Sequence, residues 1–150
     1  MNKIVIICTV AALFFGSCKS VPHASIKENP IGDEQLMDQV QRETLKYFWD
    51  FAEPYSKLGR ERYHEDNIYP RNDKNVITTG GSGFGLMTIL VGIERNFIPR
   101  KEAVKRLTVM ADFLKNADRH HGAWSHWING ETGKTVPFGK KDDGGDLVET

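Results

Sequence analysis

Residues 84–117 carry two helical patterns of opposite kind, joined by a turn too short to separate them. Leu86, Met87, Ile89, Leu90, Val91 and Ile93 leave no polar face between Phe84 and Arg95. A helix that is apolar all round must be buried on every side. Asn96-Phe97-Ile98 makes the turn, and Pro99 suits a first helical position, where its missing N–H would be unpaired anyway. Ala103, Val104, Leu107, Met110, Ala111, Leu114 and Ala117 then form one stripe, with Lys101, Lys105, Arg106 and Lys115 outside it. A buried helix tied closely to a surface helix predicts a helical hairpin with an inner and an outer layer.

Upstream, Leu36, Met37, Val40, Thr44, Tyr47, Phe48 and Phe51 recur at three- and four-residue steps and predict a helix over about 33–52. Asp33 offers its N-cap and Pro54 stops it. Residues 54–78 have no helical period. Their cluster of Arg60, Glu61, Arg62, His64, Glu65 and Asp66 is either a set of surface ion pairs or a sugar- or anion-binding loop. Val76-Ile77-Thr78-Thr79 then leads into Gly80-Gly81-Ser82-Gly83-Phe84-Gly85. A dinucleotide fingerprint starting at Gly81 and Gly83 would need glycine at 86, where Leu86 stands, and no P-loop lysine follows. What remains is a close backbone approach at a helix start, with N–H groups facing whatever binds there.

The character changes again after Asp118. Asn129-Gly130 is a turn signal between Ala123–Ile128 and Lys134–Phe138, predicting a small hairpin-like loop. On an extended strand Trp124 and His126 would face one way and Trp127 the other. The tryptophans are either core or a platform for the apolar face of a sugar ring. His120, His121 and His126 match no metal-ligand spacing, so no metal is expected. The final stretch sets Asp142, Asp143, Asp146 and Glu149 around Gly144-Gly145. It is either a solvated turn or a site where crowded carboxylates split their pKa values into donor and acceptor. Asp146 can cap a helix starting at Leu147, which would put Asp146 and Glu149 on one face.

The chain's 150 residues give room for one domain of common size, and three tryptophans allow a real core. Its 20 basic and 20 acidic residues leave no electrostatic footprint for nucleic acid. Lys3 followed by the apolar run Ile4–Phe15 has the length of a signal-peptide core rather than of a membrane span. Gly16-Ser17-Cys18 resembles the lipobox of bacterial lipoproteins, with an ordinary secretory cleavage site as the alternative. Residues 1–17 are thus expected to be a lipoprotein signal peptide, Cys18 the lipidated terminus and 18–32 a flexible tether. The expectation is an exported lipoprotein of a Gram-negative bacterium, held to a membrane by its lipid anchor. Cys8 would leave with the peptide, so no disulfide is expected.

Five blocks occur in order: Tyr47-Phe48-Trp49-Asp50-Phe51, Arg60-Glu61-Arg62, Thr78-Thr79-Gly80-Gly81-Ser82-Gly83-Phe84-Gly85, His121-Gly122-Ala123-Trp124-Ser125-His126-Trp127, and Lys141 through Thr150. Together they resemble the amino-terminal part of the glucoamylase-like (glycoamylase) domain, above all the endo-β-1,2-glucanases of glycoside hydrolase family 144 from Bacteroidetes. The resemblance covers residues 33–150. It implies a mainly α fold, part of an (α/α)6 toroid with inner and outer helices. It also implies inverting hydrolysis of a β-glucan by carboxylate acid/base chemistry, with no metal or other cofactor. The family's acidic positions fall on Asp142, Asp146 and Glu149, with acid and base unassigned. Its cleft residues correspond to Arg62, Trp124, His126 and Trp127, and an oligo- or polysaccharide is the implied partner. Three helices of an expected twelve mark the chain as a fragment, expected to be inactive and poorly soluble alone. A lipid-anchored glycan-binding protein without catalysis is the alternative function.

Overall fold

The computed structural model describes residues 31–137, 139–140 and 144–150. The signal peptide, Cys18 and Asp142 lie outside the described residues. The element order is α1 (Asp33–Trp49), β1 (Val76–Thr78), α2 (Thr79–Glu94), α3 (Arg100–Asn116), β2 (Arg119–His120), β3 (Ala123–Trp124) and β4 (Trp127–Asn129).

Helix α1 begins one residue earlier than its expected cap: Gly32 is the N-cap, and Asp33 and Glu34 sit in the first turn. Both acids favour that end of the helix through its dipole. The helix ends at Trp49, three residues short of the expected boundary. Arg106 of α3 explains why the end is well defined. Its guanidinium donates to the carbonyls of Phe48 at 3.2 Å and Trp49 at 2.6 Å and lies 3.9 Å from the centre of the Trp49 ring. One arginine therefore satisfies two carbonyls at the end of α1 and covers an aromatic face. Its partial burial lowers the Arg106 pKa.

Helix α2 packs between α1 and α3, as the two-layer reading predicts, but it is not buried on every side. Ile89 is fully buried, whereas Phe84 is 74% and Leu90 52% exposed. Helices α1 and α3 cover only the flank that carries Gly85, Ile89 and Gly92, and no third partner lies among the described residues. On that flank the absence of a side chain sets the approach. A Cβ on Gly85 would stand 2.9 Å from Phe48 Cδ1, so glycine lets the α1 aromatic sit against the α2 backbone. The α3 stripe is buried at Ala103, Met110 and Ala117 but open at Val104 and Ala111.

Two short ribbons complete the fold. Antiparallel β1 and β4 set Ile77 opposite Ile128, and single bridges extend the row to Arg60 on one side and Thr135 on the other. Chain 130–133 turns as the Asn129-Gly130 signal predicts, with the Gly133 amide donating to Asn129 O and the Val136 amide to Trp127 O. Leu58, Ile77 and Ile128 join Ile89, Ala103, Met110 and Ala117 in one core. This core fixes β1 against the start of α2, and β4 beside it.

Candidate active site

The start of α2 is where the site is built. The glycine run expected as a loop is already helical from Thr79. Thr78 explains this: its hydroxyl accepts the Gly81 amide at 3.0 Å and caps a stretch whose own helix propensity is poor. The N–H groups expected to face a ligand are occupied within the chain. The Thr79 amide donates to His126 O at 3.0 Å, and the Gly80 amide donates to Glu149 Oε2 at 3.0 Å. The anion at this helix N-terminus is thus a carboxylate of the protein itself.

Residue 80 must be glycine for this contact. A Cβ there would lie 2.6 Å from Glu149 Cδ and 2.8 Å from each carboxylate oxygen. Glu149 is delivered by a single turn rather than a helix. Asp146 Oδ1 accepts the amides of Val148 at 2.8 Å and Glu149 at 3.2 Å, so Asp146 caps the turn as expected although no helix follows among the described residues. The Asp146 amide donates to Trp124 O at 2.7 Å, and the Trp124 amide donates to Thr150 Oγ1 at 3.1 Å. The turn is thereby docked on β3.

His126 joins the two acids. Its Nδ1 lies 2.8 Å from Asp146 Oδ2 and 3.1 Å from Glu149 Oε2. Carboxylates only accept, so Nδ1 carries the proton and donates it to Asp146 Oδ2, with Glu149 Oε2 beside it at ion-pair distance. This bond holds the Asp146 carboxyl below its usual pKa; the Val148 amide adds to the effect and partial burial opposes it. Asp146 is therefore ionised at neutral pH. Ligating atoms of His126, Asp146 and Glu149 all lie within 4.8 Å of one another, close enough to hold a cation.

The remaining expected residues separate into two groups. Trp124 takes the core alternative: it packs on the core cluster, and its indole N–H donates to Leu114 O at 3.0 Å. Trp127 and Arg62 line one cavity with Glu61, Asp73 and Val136. The Trp127 ring centre is 5.9 Å from that of His126, which does not itself line this cavity. Arg62 pairs with Glu61 at 2.9 Å and with Asp73 at 3.4 Å. Glu61 raises the Arg62 pKa, and Arg62 is a fixed cation. Sequence reasoning missed Gly80 as a donor and Asp73 as a lining residue. The Thr78 cap three residues before Gly81 was a usable signal for the first, and nothing local marks the second.

No protein-family model matches the chain. An exo-β-1,2-glucooligosaccharide sophorohydrolase (non-reducing end) from Parabacteroides distasonis is 56% identical over 122 residues, 81% of this chain and 16% of that protein. The endo-β-1,2-glucanase of Chitinophaga pinensis, in complex with sophorotriose and glucose, is similar in structure with a TM-score of 0.77 and 57% identity. That match covers 80% of this chain and 29% of the other. A Bacteroides caccae crystal structure provisionally described as a glucoamylase matches at TM-score 0.77 and 58% identity, over 79% of this chain and 29% of its own. The chain thus spans under a third of these relatives, and its three helices form part of the mainly α toroidal fold that the sequence resemblance implies.

Proposed function

We propose, from the premise that this chain is homologous over part of their length to glucoamylase-like β-1,2-glucan hydrolases, that it carries the carboxylate side of a glycoside hydrolase site acting on β-1,2-glucan. The observation that carries the reading is the His126-Asp146-Glu149 trio at the start of α2. Hydrolysis with inversion needs a base that activates water on one face of the sugar and an acid on the other, their carboxyl groups about 6.5–9.5 Å apart. Asp146 and Glu149 meet the same imidazole nitrogen, so no sugar carbon fits between them. They act on one side of the bond. Asp146 is fully engaged, with Oδ1 capping the turn and Oδ2 on His126. Glu149 Oε2 accepts the Gly80 amide and lies at ion-pair distance from His126 Nδ1, and its Oε1 makes no hydrogen bond among the described residues. Glu149 is thus the base, Asp146 and His126 hold it, and the proton donor lies outside the trio, with Asp142 the candidate within this chain.

The exposed flank of α2 supports a further helical layer over it, as a toroid supplies. Residues 1–18 complete the proposal as an export signal and lipid anchor: Cys18→Ala should move the protein from the membrane to the soluble fraction, and retention in the membrane would refute the anchor. The activity test is a chimera in which the matched segment of the Chitinophaga pinensis glucanase is replaced by the corresponding residues of this chain. It should release reducing ends from linear β-1,2-glucan and none from an α-1,4-glucan. A folded chimera without activity on either would defeat the reading.

A further inference from the structure

Residue 79 stands where β1 becomes α2. The register of β1 on β4 pairs Thr78 with Trp127, which sets Thr79 against His126. The Thr79 amide continues that ladder by one rung, donating to His126 O at 3.0 Å, although residue 79 already belongs to the helix. It can do so because an amide in the first turn of a helix has no partner within the helix. The backbone then turns into α2, and the next amide, that of Gly80, goes to Glu149 Oε2 at 3.0 Å instead. The Thr79 hydroxyl supplies the rung that the backbone no longer can: Oγ1 donates to Ser125 O at 2.6 Å. Thr79 thus fixes two consecutive carbonyls, those of Ser125 and His126, while its neighbour fixes the Glu149 carboxylate. Ser125 is 3% exposed, and its own hydroxyl is bonded to Thr135 Oγ1 at 2.6 Å.

We propose that Thr79 is a positioning residue for the base. Its hydroxyl holds the 125–126 backbone at the height from which the His126 imidazole reaches Asp146 and Glu149. The hydroxyl donates to a carbonyl of the chain, so Thr79 acts through His126 and not on the sugar. A shift of the imidazole by about 1 Å would take its 2.8 Å bond to Asp146 out of hydrogen-bonding range. A misplacement of that size in a catalytic group lowers the rate by about a hundredfold. The inference rests on the reading of Glu149 as the base of a glucanase, and its test separates the two.

The test places three substitutions in the glucanase chimera. Thr79→Val removes the hydroxyl and keeps the shape, and Thr79→Ser restores the hydroxyl. Ser82→Ala deletes another hydroxyl of the same helical turn, one that donates to Thr78 O at 2.6 Å and accepts the Gly59 amide at 3.2 Å. Thr79→Val should lower kcat on linear β-1,2-glucan by on the order of ten- to a hundredfold with KM within about twofold. Thr79→Ser should stay within about threefold of the parent, and Ser82→Ala should lower stability with kcat unchanged. A second readout needs no activity: NMR of isotope-labelled histidine at alkaline pH, with the His126 signals identified by their loss in His126→Gln. The ring should carry its proton on Nδ1 in the parent and in Thr79→Ser, and shift toward the Nε2–H tautomer in Thr79→Val. Parent kcat in Thr79→Val, or a fall in kcat with no change of tautomer, would overturn the proposal. So would an equal loss of kcat in Ser82→Ala, or a raised KM with kcat unchanged. An inactive parent chimera in which Thr79→Val still changes the tautomer would defeat the glucanase reading and keep the placement of His126 by Thr79.

Discussion

Replacing Gly80 by alanine isolates the contact that places Glu149. The new Cβ would stand 2.6 Å from the Glu149 carboxyl carbon, nearly 1 Å inside an ordinary van der Waals contact of about 3.5 Å. The carboxylate must retreat by about that distance, which stretches its 3.0 Å bond to the Gly80 amide beyond hydrogen-bonding range. A charged hydrogen bond of this kind contributes about 1.5–3 kcal/mol. Alanine returns about 1 kcal/mol through better helix propensity. The net effect is a loss of about 0.5–2 kcal/mol. Gly83 lies in the same helix, and a methyl added there would meet nothing within 4 Å, so Gly83→Ala should instead stabilise by about 0.5–1 kcal/mol. Urea unfolding of the two variants should therefore move the midpoint in opposite directions. In a Glu149→Ala background Gly80→Ala should lose its penalty and behave like Gly83→Ala. Equal effects of the two glycine substitutions in the parent protein would refute the placement of Glu149 on this helix end.

Acid should undo the same region. The Asp146 pKa is lowered in the folded protein, so its contribution is fully present above the unfolded value of about 3.9 and is lost as pH falls through the folded value. Asp146→Asn should flatten the fall of the urea midpoint below about pH 4, and an unchanged acid limb would remove Asp146 from the account. Asp118, lowered chiefly by Lys134, adds to the same limb and should remain in that variant. Arg106→Met keeps an apolar stem over Trp49 but frees two carbonyls, and should lower stability by roughly 2 kcal/mol in thermal unfolding. A loss under about 0.5 kcal/mol would mean that the end of α1 is held otherwise.

The long periodic stretches were legible because their signals are local. Helices α1 and α3 and the turn at Asn129-Gly130 rest on patterns a few residues long and form in the structure, although α1 buries Leu45 and leaves Leu36, Met37 and Val40 of its expected face exposed. The start of α2 was obscured because glycine at 80, 81 and 83 argues against helix on propensity alone. A tertiary purpose, room for Glu149 and for Phe48, overrides that preference. Burial of α2 was overestimated because an apolar periphery states what a helix needs covered, not which neighbours cover it. Asp146 and Glu149 were legible as a pair three apart. Their partners were not: His126 is 20 residues before Asp146, and Gly80 is 69 before Glu149. Trp124 was a balanced choice, and the Leu114 carbonyl draws its indole toward the core. Asp73 joins Arg62 and Trp127 only through the pairing of β1 with β4, which no local pattern announces.

The role of Glu149 as the base is open to direct measurement in the chimera. Glu149→Ala should reduce the rate of reducing-end release from linear β-1,2-glucan by about 10²–10⁴-fold, the usual contribution of a general base. Sodium azide, a nucleophile that needs no base, should restore turnover in part and yield a glycosyl azide. A Glu149→Ala chimera that cleaves the glucan at the parent rate would contradict the account.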